Sequence, residues 1–232
     1  MAPSFSFVAA ILAGLASAQT PDGTPEVHPG LTTWKCTTAA GCVAQDTKIV
    51  IDSLSHPVFQ KQNPSFNCGD WGSPPNATIC PDEKSCQANC VMQGIPDLSK
   101  FGVETTGDAL HLDMLRDDGS VFSPRVYLLA PDEQKYEMLE LTGNELSFDV
   151  DVSKLPCGMN GALYLSEMEA DGGKSDLNQA GAYYGTGYCD AQCFVTPFIN
   201  GEVRFEEDYQ PNLNANLIIA QYQRSWIMLQ RT

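Results

Sequence analysis

From Asp46 onward the chain is written in short runs that alternate apolar with polar residues. Thr47–Asp52 (TKIVID), Asp108–Leu115 (DALHLDML), Arg125–Ala130 (RVYLLA), Lys135–Leu141 (KYEMLEL), Glu145–Val152 (ELSFDVDV) and Ala162–Met168 (ALYLSEM) are six to eight residues long. They are rich in branched and aromatic side chains, which is the pattern of half-buried strands. In Glu145–Val152, Leu146, Phe148, Val150 and Val152 fall on one face and are expected to point into a core, with Ser147, Asp149 and Asp151 outward. Turn clusters separate the runs, among them Arg116–Ser120 and Leu141–Asn144. With no amphipathic helix between them, these strands predict an all-β fold, a β-sandwich of antiparallel strands.

The pattern changes after Gly201. Leu213, Leu217, Ile218, Ile219, Tyr222, Trp226 and Leu229 approximate a helical stripe, followed by Arg224 and Arg231 in the last nine positions. Residues 202–232 are therefore set apart as a divergent tail, helical or disordered. At the other end, Phe5–Leu15 is apolar but too short to span a bilayer, and Ala16-Ser17-Ala18 has the small-x-small form of a cleavage site. Residues 1–18 read as a signal peptide, so the mature chain is expected to start at Gln19 and to be secreted, with residues 19–201 as its domain.

Composition narrows the partners. Lys+Arg 13 against Asp+Glu 29 gives a formal net charge of −16, which repels nucleic acid and anionic membrane surfaces and leaves a neutral polysaccharide as the fitting partner. Nine cysteines in an oxidising compartment predict disulfides, and the number is odd. Cys36, Cys42, Cys68, Cys80, Cys86 and Cys90 can pair among themselves; Cys157, Cys189 and Cys193 lie far downstream. Zinc is the rival reading, but the cysteine spacing does not fit it, and His28, His56 and His111 are scattered. No metal or cofactor is expected. Asn76-Ala77-Thr78 is a glycosylation sequon in a Pro- and Gly-rich loop.

Two acidic clusters could do chemistry. Glu202, Glu206, Glu207 and Asp208 follow the last cysteine, and Glu167, Glu169 and Asp171 follow a good strand. Glycoside hydrolysis needs two carboxyls about 5–5.5 Å apart in retaining enzymes. The first cluster surrounds a segment interrupted by Pro211 and reads as solvated surface; the second runs into Gly172-Gly173 and reads as turn chemistry. Neither is assigned a catalytic role. Binding has better material: Tyr183, Tyr184, Tyr188, Asp190 and Gln192 crowd AYYGTGYCDAQC, with flat rings for sugar faces and polar groups for hydroxyls. Tyrosines of a sandwich core have the same pattern.

Three stretches, TPEVHPGLTTWKCTTAAGCVAQDTKIVID, LSFDVDVSKLPCGMNGALYLSEMEADGG and AGAYYGTGYCDAQC, closely resemble the fungal cellulases of glycoside hydrolase family 7, in order, from about Thr24 to Gly201. The resemblance implies a concanavalin-like jelly roll whose concave face holds a cellulose chain, and retaining hydrolysis of β-1,4-glucosidic bonds by a monomer. IDSLSHPVF lacks the two tryptophans that exo-acting members carry after this strand, which implies the endoglucanase branch. It also implies the pairs Cys36–Cys42, Cys68–Cys90 and Cys80–Cys86, and a glucan cleft lined by Arg125, Tyr164, Tyr188, Asp190 and Gln192. The family's catalytic Glu-x-Asp-x-x-Glu is nowhere in this sequence, nor are the cysteines that partner Cys157, Cys189 and Cys193. The chain is thus expected to be the N-terminal half of such a domain, truncated before the motif, with those three cysteines unpaired and the hydrolase inactive as written. The alternatives are a non-catalytic β-glucan-binding protein and a truncated product that does not fold.

Overall fold

The computed structural model describes residues 19–70, 72–189, 196–204 and the strand at 225–231. The protein is predominantly β. Its strands are β1 (Gly30–Thr37), β2 (Gly41–Ile51), β3 (Val58–Gln60), β4 (Asn63–Asn67), β5 (Cys90–Met92), β6 (Val103–Thr106), β7 (Ala109–Leu112), β8 (Arg125–Leu129), β9 (Gly161–Glu167), β10 (Phe198–Ile199), β11 (Glu202–Val203) and β12 (Ser225–Arg231). Among the described residues there is one short α-helix, α1 (Glu83–Asn89); it starts on Asp82, whose carboxylate accepts the Ser85 amide at 2.8 Å. The main sheet runs β1-β2-β8-β12-β9; β4-β3-β5, β6-β7 and β10-β11 form smaller sheets.

β2 is the strand that fixes the core. Ile49, Val50 and Ile51 are consecutive and fully buried, so both faces of the sheet are covered here. Ile49 and Ile51 pack with Leu31, Ile95, Leu98, Val103 and Val126 on one face. Val50 packs with Tyr127, Leu129, Tyr136, Met168 and Ala182 on the other. Each such burial is worth about 1.5–3 kcal/mol. The outer half of β2 continues beyond the core as a hairpin with β1, where Cys36 stands opposite Cys42 and the pair is disulfide-bonded.

A third cluster is built around cysteines. Cys68–Cys90 and Cys80–Cys86 are both disulfides, packed with Val58, Ile79, Met92, Ala180, Tyr184, Phe198 and Val203. The sulfurs of Cys68, Cys80 and Cys90 lie within 4.8 Å of one another; each is committed to a disulfide and holds no thiolate to offer a metal.

Several expectations are corrected. Lys135–Leu141 contributes only an isolated bridge, Leu129 to Tyr136, and Glu145–Val152 is not a strand. Phe148 is 54% exposed and Val150 63%, with Leu146 and Val152 also exposed. Alternation marks which face of a segment is apolar; it does not supply the partner strand or the opposing layer that would bury it, and none of the described residues does so. The tail also differs from the helix or disorder expected of it. Part of the proposed stripe, 205–224, lies outside the described residues, but Ser225–Arg231 is a strand pairing β8 on one side and β9 on the other. β8 and β9 are not paired to each other, and their ladder groups provide acceptors and donors on both sides of an inserted strand; that opportunity outweighs weak helical periodicity. Among the described residues no helix is long and apolar enough to cross a membrane.

Candidate functional site: an arginine–tyrosine sheet surface

Asp52 follows the buried end of β2, and its backbone N–H still donates to the Arg125 carbonyl at 2.8 Å, so the β2–β8 ladder delivers both residues to one spot. The Asp52 side chain is buried. It accepts the Leu54 amide at 2.8 Å, accepts the Tyr127 hydroxyl, and lies 3.4 Å from Arg125 Nε. The Arg125 guanidinium in turn sits over the Tyr188 ring, 4.4 Å from its centroid, a cation–π geometry. The Arg125 side chain is 16% exposed.

The floor below is aromatic. Tyr127 lies 5.3 Å from Tyr136 and 6.2 Å from Tyr188, centroid to centroid. Tyr136 donates to the Thr186 carbonyl at 2.5 Å. Burial, and next the Asp52 charge, push the Tyr127 and Tyr136 phenols well above their ordinary range, so both stay neutral donors. The segment carrying Tyr188 is locked by Asn178, whose amide donates to the Gly172 carbonyl and to Thr186 Oγ1, each at 2.9 Å. Gly185 has φ +65° and passes so close to β2 that an added Cβ would sit 2.0 Å from the Ile51 carbonyl oxygen; only glycine fits.

Tyr164 is on β9 and 42% exposed. It pairs in register with Met228 of β12, which pairs with Tyr127 of β8. Tyr164 thus shares a sheet face with Arg125 and Tyr127, two strand spacings from β8, roughly 10 Å. Arg125 and Tyr188 touch; Tyr164 stands across β12 from them. Asp190 and Gln192 lie outside the described residues.

The other tyrosines of the same stretch go elsewhere. Tyr184 is buried in the cysteine-rich cluster, and Tyr183 packs edge-on against His28 with centroids 4.4 Å apart. They are core tyrosines. Asp171 caps its own turn, accepting the Gly173 and Lys174 amides at 3.1 and 3.3 Å; Glu169 and Glu202 are exposed; Glu206, Glu207 and Asp208 lie outside the described residues.

Two groupings escape sequence reasoning. One is Asp52 with Tyr127, which are 75 positions apart; the only local signal is an acid directly after a fully apolar triplet, where a buried run meets the site. The other joins two of the three histidines that look scattered. His56 Nε2 lies 3.2 Å from Glu26 Oε2, while His28 Nδ1 lies 2.7 Å from Glu133 and its Nε2 lies 2.8 Å from the Tyr183 carbonyl. His28 Nε2 is also 3.9 Å from Glu26 Oε1. Since a carbonyl only accepts, His28 Nε2 is the donor there and is not free as a metal ligand. The cluster ties the segment before β1 to the body of the fold.

Among the cysteines expected to be unpaired, Cys157 is free and exposed, but Cys189 is disulfide-bonded. The expectation equated missing family partners with no partner at all; an oxidised thiol takes any cysteine within reach. Cys193 lies outside the described residues. Asn76 is exposed, its side chain accepting the Thr78 amide at 2.9 Å.

The family model described as Glycosyl hydrolase family 7 matches residues 20–222. Endoglucanase EG-1 of Humicola insolens is 59% identical over 192 residues, which are 82% of this chain and 44% of that protein. The solved native structure of the Humicola insolens endocellulase EGI aligns with a TM-score of 0.76 at 58% identity, covering 81% of this chain and 48% of that one. A structure titled endoglucanase I complexed with cellobiose aligns with a TM-score of 0.72 at 55% identity over 80% of this chain and 47% of that one. The chain therefore spans about half the length of the relatives it matches.

Proposed function

From the premise that the chain belongs to Glycosyl hydrolase family 7, we propose that it is a secreted protein carrying part of the glucan-binding face of an endo-1,4-β-glucanase, and that it binds β-1,4-glucan without cleaving it. The observation that carries the reading is the Arg125–Tyr188 stack, 4.4 Å, anchored by Asp52 at 3.4 Å. A guanidinium fixed on both sides presents donors in a set direction at almost no further entropic cost, which suits sugar hydroxyls. Tyr164 adds an exposed ring on the same sheet face. Asp190 and Gln192 belong to this proposed lining by their place in the family pattern.

Cleavage needs two correctly spaced carboxyls. The Glu-x-Asp-x-x-Glu motif is absent from the sequence, and the buried carboxylate of the site, Asp52, is engaged by Tyr127 and Arg125. Asp52 acts here as an anchor. The proposed chain is monomeric, with a glycan on Asn76.

Titration of the purified chain with cellotetraose by calorimetry, alongside a reducing-sugar assay on carboxymethylcellulose, tests this. Saturable binding with no sugar released is the expected result. Release of reducing sugar would overturn the non-catalytic part, and absence of binding by a cooperatively melting protein would overturn the whole reading.

A further inference from the structure

We propose that Asn160 is a site of spontaneous deamidation in the folded protein, and that Asn200, which carries the same sequence signature, is protected from it by the fold. The inference is independent of the glucan-binding reading.

The chain contains two Asn-Gly pairs, Asn160-Gly161 and Asn200-Gly201. Glycine after asparagine favours loss of the side-chain amide, because without a Cβ the next backbone nitrogen is unshielded and its dihedrals turn freely. The glycine nitrogen gives up its proton and attacks Cγ of the asparagine; the Cγ–Nδ2 bond breaks and ammonia leaves, closing a cyclic imide. Water then opens the imide at one of its two carbonyls, leaving aspartate or isoaspartate. Water is the only co-reactant. By sequence the two sites have equal standing, and the structure separates them.

Asn200 and Gly201 form the two-residue turn between β10 and β11. Their φ angles are +50° and +86°, the left-handed pair that such a hairpin demands. The reacting nitrogen is engaged: the Gly201 N–H donates to Oε1 of the buried Gln19 at 2.5 Å. The carboxamide is held as well. A Cβ added to Gly173 would sit 2.9 Å from Asn200 Cγ, and Asn200 Oδ1 is buried. Ring closure here requires breaking the bond to Gln19 and twisting the hairpin, so it proceeds only through local opening.

Asn160 has none of these restraints. It is exposed and follows a turn in which the Met159 N–H donates to the Pro156 carbonyl at 3.2 Å. Residues 145–160 lie in no helix or strand, so Asn160 can rotate about its own backbone without disrupting a ladder. Gly161 is the first residue of β9 and makes its terminal register pair with β12, opposite Arg231, where fraying is cheapest. Isoaspartate at this position inserts an extra backbone atom directly ahead of β9, and either product adds a negative charge to a chain already at −16.

The test holds the full chain in mildly alkaline, oxygen-18-enriched water, well below its melting temperature, with and without urea. Each deamidation event then takes up heavy oxygen, and digestion with fragment mass spectrometry reads the label at each asparagine. In the folded protein Asn160 is expected to convert roughly tenfold or more faster than Asn200, and in urea the two rates should converge. Equal rates in the folded protein, or faster conversion at Asn200, overturn the inference. A folded protein in which neither site converts, while both do so in urea, overturns it as well.

Discussion

Nδ1 of His28 lies 2.7 Å from Oε2 of Glu133, across 105 positions of sequence. The same imidazole reaches the Tyr183 carbonyl through Nε2, so one side chain fastens three distant segments. Replacing it leaves part-buried polar groups without their partner, which costs more than the hydrogen bond itself contributes. His28→Phe is expected to destabilise the protein by about 1–3 kcal/mol, seen as a melt lowered by roughly 2–10 °C. Glu133→Gln combined with His28→Phe in a double-mutant cycle should give less than the sum of the two losses; strict additivity would show that the pair is not coupled.

At the proposed glucan face, the Arg125 guanidinium sits over the Tyr188 ring, 4.4 Å from its centroid. Tyr188→Phe is expected to leave cellotetraose affinity within about twofold, whereas Tyr188→Ala should weaken it roughly threefold to twentyfold, the size of a partly desolvated cation–π contact. Calorimetric titration of both variants distinguishes them. Equal losses in the two would assign the effect to the hydroxyl.

Alkaline pH should unfold the protein earlier than its disulfides suggest. Burial, and next the Glu26 carboxylate, push the Tyr184 phenol from 10.0 up to about 12, and burial, then the Asp52 charge, raise Tyr127 and Tyr136 in the same sense. The unfolded chain releases these protons near pH 10 while the folded one retains them, so unfolding is favoured as pH rises. The Tyr184 contribution is intact below about pH 10 and is lost between there and about pH 12. Melts recorded between pH 8 and 12 are expected to fall through this window, and Tyr184→Phe should flatten the fall. A melt that is level across the window contradicts the assignment.

How far the sequence went depended on whether a feature was local. Thr47–Asp52, Arg125–Ala130 and Ala162–Met168 became strands because alternation and branched side chains are properties of the segment itself. Glu145–Val152 had the same pattern and no partner, so its apolar row stayed exposed. Arg125 and Tyr188 were recognisable through family resemblance, but Asp52, which orients Arg125, and the pairing of Glu26 with His56 are products of long-range folding without a local signature. β12 was hidden for a different reason. Its stripe fits a helix on paper, and only the two open ladders at β8 and β9 make it a strand.

The disulfides should fall in a set order. Cys36–Cys42 closes a short turn at an exposed hairpin, while Cys68, Cys80, Cys86 and Cys90 are all buried. Graded dithiothreitol followed by alkylation and mass spectrometry is expected to label Cys36 and Cys42 well before the other four. Cys68 and Cys90 enclose a loop with a sequence separation of 22, and Cys68→Ala with Cys90→Ala should cost about 3 kcal/mol by chain entropy. Simultaneous labelling of all six would mean that the protein opens globally before its hairpin is reduced.

The central position of β12 has a bearing on how the nascent chain matures. β8 and β9 emerge from the ribosome earlier, yet neither is hydrogen-bonded to the other; their common sheet waits for residues made some sixty positions after β9. Until then each presents an open edge with which another chain's strand could pair. The order of synthesis therefore makes chaperones that shield open strand edges part of what this topology requires.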